Sequence, residues 1–91
     1  MKVKVRFFAY FRDVFGAKEK DLELPEGAAV RQLLSQISDT LERRREIFSS
    51  NELKSHVVVL RNGSPLPTAS GFDTPLAEGD TLAIFPIVGG G

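Results

Sequence analysis

Val3, Val5 and Phe7 alternate with Lys4 and Arg6 near the start of the chain. Successive side chains of a strand point to opposite faces, so this period of two predicts a half-buried β-strand. Phe8 breaks the pattern, because it falls on the Lys4/Arg6 face. Phe11, Val14 and Phe15 then fit a short helical turn stopped by Gly16. Across residues 19–24, Leu22 and Leu24 alternate with acids, and Pro25-Glu26-Gly27 closes the segment as a turn. The two strands are expected to form an antiparallel pair.

Val30, Leu33, Leu34, Ile37 and Leu41 recur at i, i+3, i+4, i+7 and i+11. That spacing predicts one α-helix of about three turns whose apolar stripe faces the core. Arg43, Arg44 and Arg45, flanked by Glu42 and Glu46, read as a solvated face, and Ser49-Ser50-Asn51 breaks the helix. The β-branched run Val57-Val58-Val59 with Leu60 predicts a strand covered on both faces or nearly so, with His56 at its start. Asn62-Gly63 marks a tight hairpin because both positions tolerate positive φ. The short return around residues 65–67 contains two prolines, which place it at a sheet edge. Residues 68–77 read as a loop with one helical turn, and Glu78-Gly79-Asp80 leads into the final strand, Leu82-Ala83-Ile84-Phe85. The expected fold class is α+β: one main helix across a mixed sheet of four to five strands. Its first and last strands pair centrally and in parallel, joined by the helix-bearing crossover.

Strand parity also predicts a surface. If Leu82 and Ile84 face the helix, Phe85 emerges on the other face beside Phe8. Leu66 and Pro86 are expected to extend this into an apolar partner interface leading to the end of the chain.

Composition narrows the function classes. Twelve basic and twelve acidic side chains give formal net charge zero. No global field therefore draws the protein to nucleic acid or to an anionic membrane. Cysteine is absent and His56 is the single histidine. Disulfides, a thiol nucleophile and a thiolate metal site are excluded, and no metal site is expected. No apolar run approaches the roughly 20 residues of a membrane span. The charged start lacks the apolar core of a signal peptide, so a cytoplasmic location is expected.

The remaining chemistry lies at the end, Ile87-Val88-Gly89-Gly90-Gly91. Glycine has no Cβ and takes either sign of φ, so such a ribbon can thread a narrow groove. A terminal carboxylate is a poor electrophile until activated, for example as an acyl-adenylate. The glycines do not form a phosphate-binding loop, since no helix and no Lys-Ser/Thr follow.

Taken together, Val3 to Ala9, Phe15-Gly16, Asn62-Gly63, Asp73-Thr74-Pro75-Leu76, Glu78-Gly79-Asp80 and the closing Phe85-Pro86 to Gly-Gly resemble the MoaD family across nearly the whole chain. MoaD is the small subunit of molybdopterin synthase, in the ubiquitin-like β-grasp superfamily with the thiamine sulfur carrier ThiS. The resemblance implies a β-grasp domain over residues 1–86 and a flexible glycine tail over residues 87–91. It implies a sulfur carrier whose Gly91 carboxylate a partner E1-like enzyme adenylates with ATP-Mg and a sulfur donor converts to a thiocarboxylate. The tail then enters the active site of the molybdopterin synthase large subunit (MoaE-like), where the catalytic groups reside. On this chain Gly91 is the reactive terminus, with Gly90, Gly89, Val88 and Ile87 as the segment behind it. The three final glycines depart from the usual two, yet the stretch from Phe85 to the end keeps the family's length. Two other classes stay open: a ubiquitin-like modifier joined through its terminal glycine to lysines, and a β-grasp binding module with an idle tail. A carrier for another sulfur-containing metabolite also remains.

Overall fold

The computed structural model describes residues 1–50, 52–67 and 70–87. The described elements run in the order β1 (Lys2–Phe7), α1 (Phe11–Phe15), β2 (Glu19–Glu23), α2 (Val30–Ile37), α3 (Leu41–Ile47), β3 (Phe48–Ser49), β4 (Glu52–Leu53), β5 (Val57–Arg61), β6 (Ser64–Pro65), a 3-10 turn (Gly71–Asp73) and β7 (Thr81–Pro86). Five strands form one mixed sheet in the order β2-β1-β7-β5-β6, and β3 with β4 make a separate small hairpin. β1 and β7 pair in parallel at its centre, while β2 lies antiparallel to β1 and β5 antiparallel to β7. The edge position of β6 follows from Pro65, which has no N–H to donate to a further strand.

The alternation in β1 and β7 produces the core directly. Val3, Val5, Phe7, Leu82 and Ile84 are all buried, and so are Val30, Leu33, Leu34 and Ile37 from α2. Phe7 and Phe15 stack at 4.5 Å with an interplanar angle of 10°. α1 stops as expected: Gly16 adopts φ 71°, a left-handed conformation that a Cβ would strain. α2 begins without a side-chain cap, since Ala29 has no acceptor; instead Gln32 Oε1 accepts from the Ala29 N–H at 2.8 Å. Its first turn is pinned by two backbone bonds, Val30 N–H to Thr74 O and Leu76 N–H to Ala28 O.

The expected single helix is in fact two. α2 ends at Ile37, where Ser38 turns the chain at ψ 59°, and Thr40 Oγ1 caps a new helix by accepting from the Arg43 N–H at 3.1 Å. Ser38-Asp39-Thr40 is a run of short polar side chains that compete for backbone bonds and favour caps over helix interiors. Leu41 therefore opens α3 and is 63% exposed rather than part of the core stripe. Ile47 and Phe48 are the buried residues of that segment. Among the arginines expected on a solvated face, Arg43 turns inward. It bonds Asp39 Oδ1, and its guanidinium donates to the carbonyls of Val14 and Phe15 at the end of α1.

Candidate functional site

β7 lies in the middle of the sheet and points the chain out of the domain. Leu82, Ile84 and Pro86 are buried on the helix side, whereas Thr81, Ala83 and Phe85 are only half-buried on the other. The ladder to β5 ends at the Val57–Pro86 pair, and one further bond follows: the Ile87 N–H donates to His56 O at 2.7 Å. Ile87 is 56% exposed. Val88, Gly89, Gly90 and Gly91, expected as tail and reactive terminus, lie outside the described residues.

Phe8 and Phe85 meet as strand parity predicts. Their rings are edge to face, with centroids 6.2 Å apart at 87°. The Phe8 N–H donates to Ile84 O at 3.1 Å, which continues the parallel β1–β7 pairing one residue past β1. Arg6 and Arg12 place their guanidinium carbons 5.4 and 5.7 Å from the centre of the Phe8 ring. Arg12 is oriented by a 3.0 Å bond from Nε to Phe7 O. The rest of this face comes from β5 and β6. Val58 is opposite Phe85, Leu60 is opposite Ala83, and Pro65 is opposite Leu60. Val58 and Leu60 are half-buried, so β5 is sealed on one face only, which corrects the expectation of cover on both.

The other two interface residues expected from sequence are elsewhere. Leu66 is one residue past Pro65 and therefore has the opposite parity; it packs against the buried core. Pro86 shares parity with Leu82 and Ile84 and is buried, so its ring turns away from the Phe8–Phe85 face. Sequence reasoning also missed Arg12, Val58 and Leu60. The β5 residues were within reach of a parity argument run from Phe85, but Arg12 was not, because α1 had no predicted orientation.

His56 is not idle either. Its Nε2 is 2.8 Å from the Tyr10 hydroxyl, and its ring lies 6.4 Å from that of Phe11. Burial and the negative charge of Glu46 both raise the Tyr10 pKa, keeping the phenol protonated. At the other end of β7, Asp80 is buried and ties the strand to the β5–β6 hairpin. Arg61 Nε and Asn62 Nδ2 each donate to its carboxylate at 2.9 Å, and the Ala77 N–H donates at 2.8 Å.

A groove of about 620 Å³ between α1 and α3 is lined by Asp13, Val14, Leu41 and Glu46 among others, none of them on β7. Among the described residues, no cluster of three or more His, Cys, Asp or Glu could hold a metal ion. No helix among them is long and apolar enough to cross a membrane.

Comparisons with known proteins agree on the family. The model of the ThiS family matches residues 5–91. Small archaeal modifier protein 3 of Haloferax volcanii is 36% identical over 94 residues, covering 100% of both chains. Among solved structures, SAMP1 of Haloferax volcanii superposes with a TM-score of 0.83 at 28% identity, covering 100% of both chains. A putative molybdopterin converting factor, subunit 1, of Pyrococcus furiosus superposes with a TM-score of 0.75 at 34% identity, covering 97% of this chain and 99% of its own.

Proposed function

This chain belongs to the ThiS family of ubiquitin-like β-grasp proteins, and on that premise we propose that it carries an activated acyl group at Gly91. A partner adenylating enzyme uses ATP-Mg: the Gly91 carboxylate oxygen attacks the α-phosphorus, pyrophosphate leaves, and an acyl-adenylate forms. A sulfur donor then displaces AMP and leaves a thiocarboxylate. The large subunit of molybdopterin synthase receives that sulfur, with Phe8 and Phe85 as the apolar centre of the docking face. The likeness to the Pyrococcus furiosus molybdopterin converting factor supports this fate.

The observation that carries the reading is the delivery of Ile87 by the central strand. β7 is bonded on both sides and Ile87 is exposed immediately after it. Four residues follow in the sequence, with an extended reach of about 14 Å. The ionisable groups beside Ile87 among the described residues are Tyr10 and His56, which bond to each other, and the reading assigns adenylation and sulfur transfer to the partners.

A second fate is favoured by a specific observation: the full-length likeness to a small archaeal modifier protein. In this second fate the acyl-adenylate of Gly91 ends in an amide bond to a lysine of another protein, with AMP as the leaving group. Incubation with the cognate adenylating enzyme, ATP and a sulfide donor, followed by intact-mass analysis, tests the shared step. A mass gain equal to exchange of one oxygen for sulfur, localised by fragmentation to Gly91, supports it. An unchanged mass, with the enzyme active on its own carrier, overturns it. Branched lysine peptides bearing the glycine end in cell digests would identify the modifier fate.

A further inference from the structure

The tail has a root, and the structure shows what holds it. The Ile87 N–H bonds to His56 O at 2.7 Å, one residue beyond the β5–β7 ladder. His56 is not itself part of β5. It sits in the turn closed by the Val57 N–H bond to Lys54 O at 3.0 Å, so its carbonyl direction depends on how that turn is held. Its ring makes a contact that reaches across to another element, the 2.8 Å approach of Nε2 to the Tyr10 hydroxyl.

Tyr10 is 42% exposed, and it is held through its backbone and one ring contact. Its carbonyl accepts from the Asp13 and Val14 amides at the start of α1, and its ring lies 4.6 Å from that of Phe11. The preceding residue, Ala9, has φ 54°, a left-handed conformation that an alanine adopts at a cost. Backbone strain of this kind persists where surrounding structure imposes it and gathers at functional sites. Here it turns the chain between β1 and α1, immediately before Tyr10. The phenol can donate to or accept from an imidazole nitrogen, so the contact survives a change of His56 tautomer.

We propose that Tyr10 and His56 are positioning residues for chemistry at the chain's end: together they fix the point from which residue 87 hands the tail to a partner. The inference rests on the reading that Gly91 is activated. The physical reason is leverage. Misplacing a reacting group by about 1 Å can cost on the order of 100-fold in rate, and a root left free adds to the conformational entropy that must be lost before the chain's end is ordered for reaction.

Two independent readings test this. Tyr10→Phe removes the hydroxyl and keeps the ring; His56→Ala removes the imidazole, and His56→Gln restores a polar partner for Tyr10. In the isolated chain, amide hydrogen exchange at Ile87 should quicken about tenfold in Tyr10→Phe and His56→Ala, with Val59 and Ile84 unchanged and partial recovery in His56→Gln. In ATP–pyrophosphate exchange with the cognate adenylating enzyme, kcat should fall about tenfold at nearly constant KM. Unchanged exchange at Ile87 in both variants overturns the proposal, and so does faster exchange with kcat unaltered. If the wild-type chain itself is not adenylated, the reading of Gly91 fails, while the exchange at Ile87 still decides whether the root is held. Should His56→Ala fail to fold, Tyr10→Phe carries the test alone.

Discussion

Phe8 and Phe85 meet edge to face across the parallel pairing of β1 and β7, and the guanidinium carbons of Arg6 and Arg12 lie 5.4 and 5.7 Å from the centre of the Phe8 ring. Both rings are half-buried, yet neither belongs to the core cluster. Their area is therefore available to a second molecule, at the end of the sheet from which the tail departs.

Replacing Phe8 or Phe85 with alanine should weaken binding of the proposed partner, the molybdopterin synthase large subunit, by about 30-fold or more, since central aromatic anchors of interfaces cost about 2 kcal/mol or more when truncated. Stability should fall by only about 1 kcal/mol, because each ring is already partly in water. Phe7→Ala is the contrasting variant: its ring is fully buried and stacked on Phe15, and its loss should cost about 3–5 kcal/mol of folding free energy. Titration calorimetry beside urea denaturation separates the two effects. Wild-type affinity in both half-buried variants would remove this face from the interface.

Asp80 should govern part of the acid stability. Burial alone raises its pKa, but hydrogen bonds from Asn62, the Ala77 N–H and Arg61, with the Arg61 charge, outweigh it, and the carboxyl titrates below its ordinary value. A folded pKa below the unfolded one means the carboxylate stabilises the fold above the unfolded value of about 3.9, and that contribution is lost as pH falls through the folded pKa. Asp39, lowered chiefly by its bond from Arg43, acts in the same direction, but it is exposed and adds little. Asp80→Asn should lower stability at neutral pH by about 2 kcal/mol or more and flatten its decline below about pH 4. Urea midpoints measured from pH 3 to 7 would show it; parallel curves for variant and wild type would contradict the assignment.

Arg43 should matter where Arg45 does not. Its guanidinium joins α3 to the last carbonyls of α1 and to Asp39 at once. Arg43→Ala should cost about 1–2 kcal/mol, against under about 0.5 kcal/mol for the exposed Arg45→Ala. Arg43→Lys should not restore stability, because an ammonium cannot reproduce the planar fork. Thermal unfolding of the three variants distinguishes a bridging role from a general charge effect, which Lys would rescue.

Much of this molecule was legible in its side-chain order. Alternation in residues 3–7 and 82–85 contained the two central strands, their parallel pairing through a crossover, and the meeting of Phe8 with Phe85. The Gly16 stop, the Asn62-Gly63 hairpin and the edge position of Pro65 followed from backbone preferences alone. These features depend on neighbours in sequence or on strand parity, which local chemistry determines.

Other features needed the assembled fold. The division of the helix at Ser38-Asp39-Thr40 went unread because Leu41 happens to continue the apolar period of α2, while its exposure depends on where α3 packs. Leu66 and Pro86 fell on the core side because alternation runs through Pro86, the last residue of β7, and one residue past the end of β6. Arg12 above Phe8, Arg43 across α1, and the Tyr10–His56–Ile87 contacts join residues from different elements. The sequence by itself determined which segments become strands and which faces they bury, because those preferences are local. Only the tertiary structure decided which side chains meet at the root of the tail, because that depends on how helices and loops are oriented against the sheet.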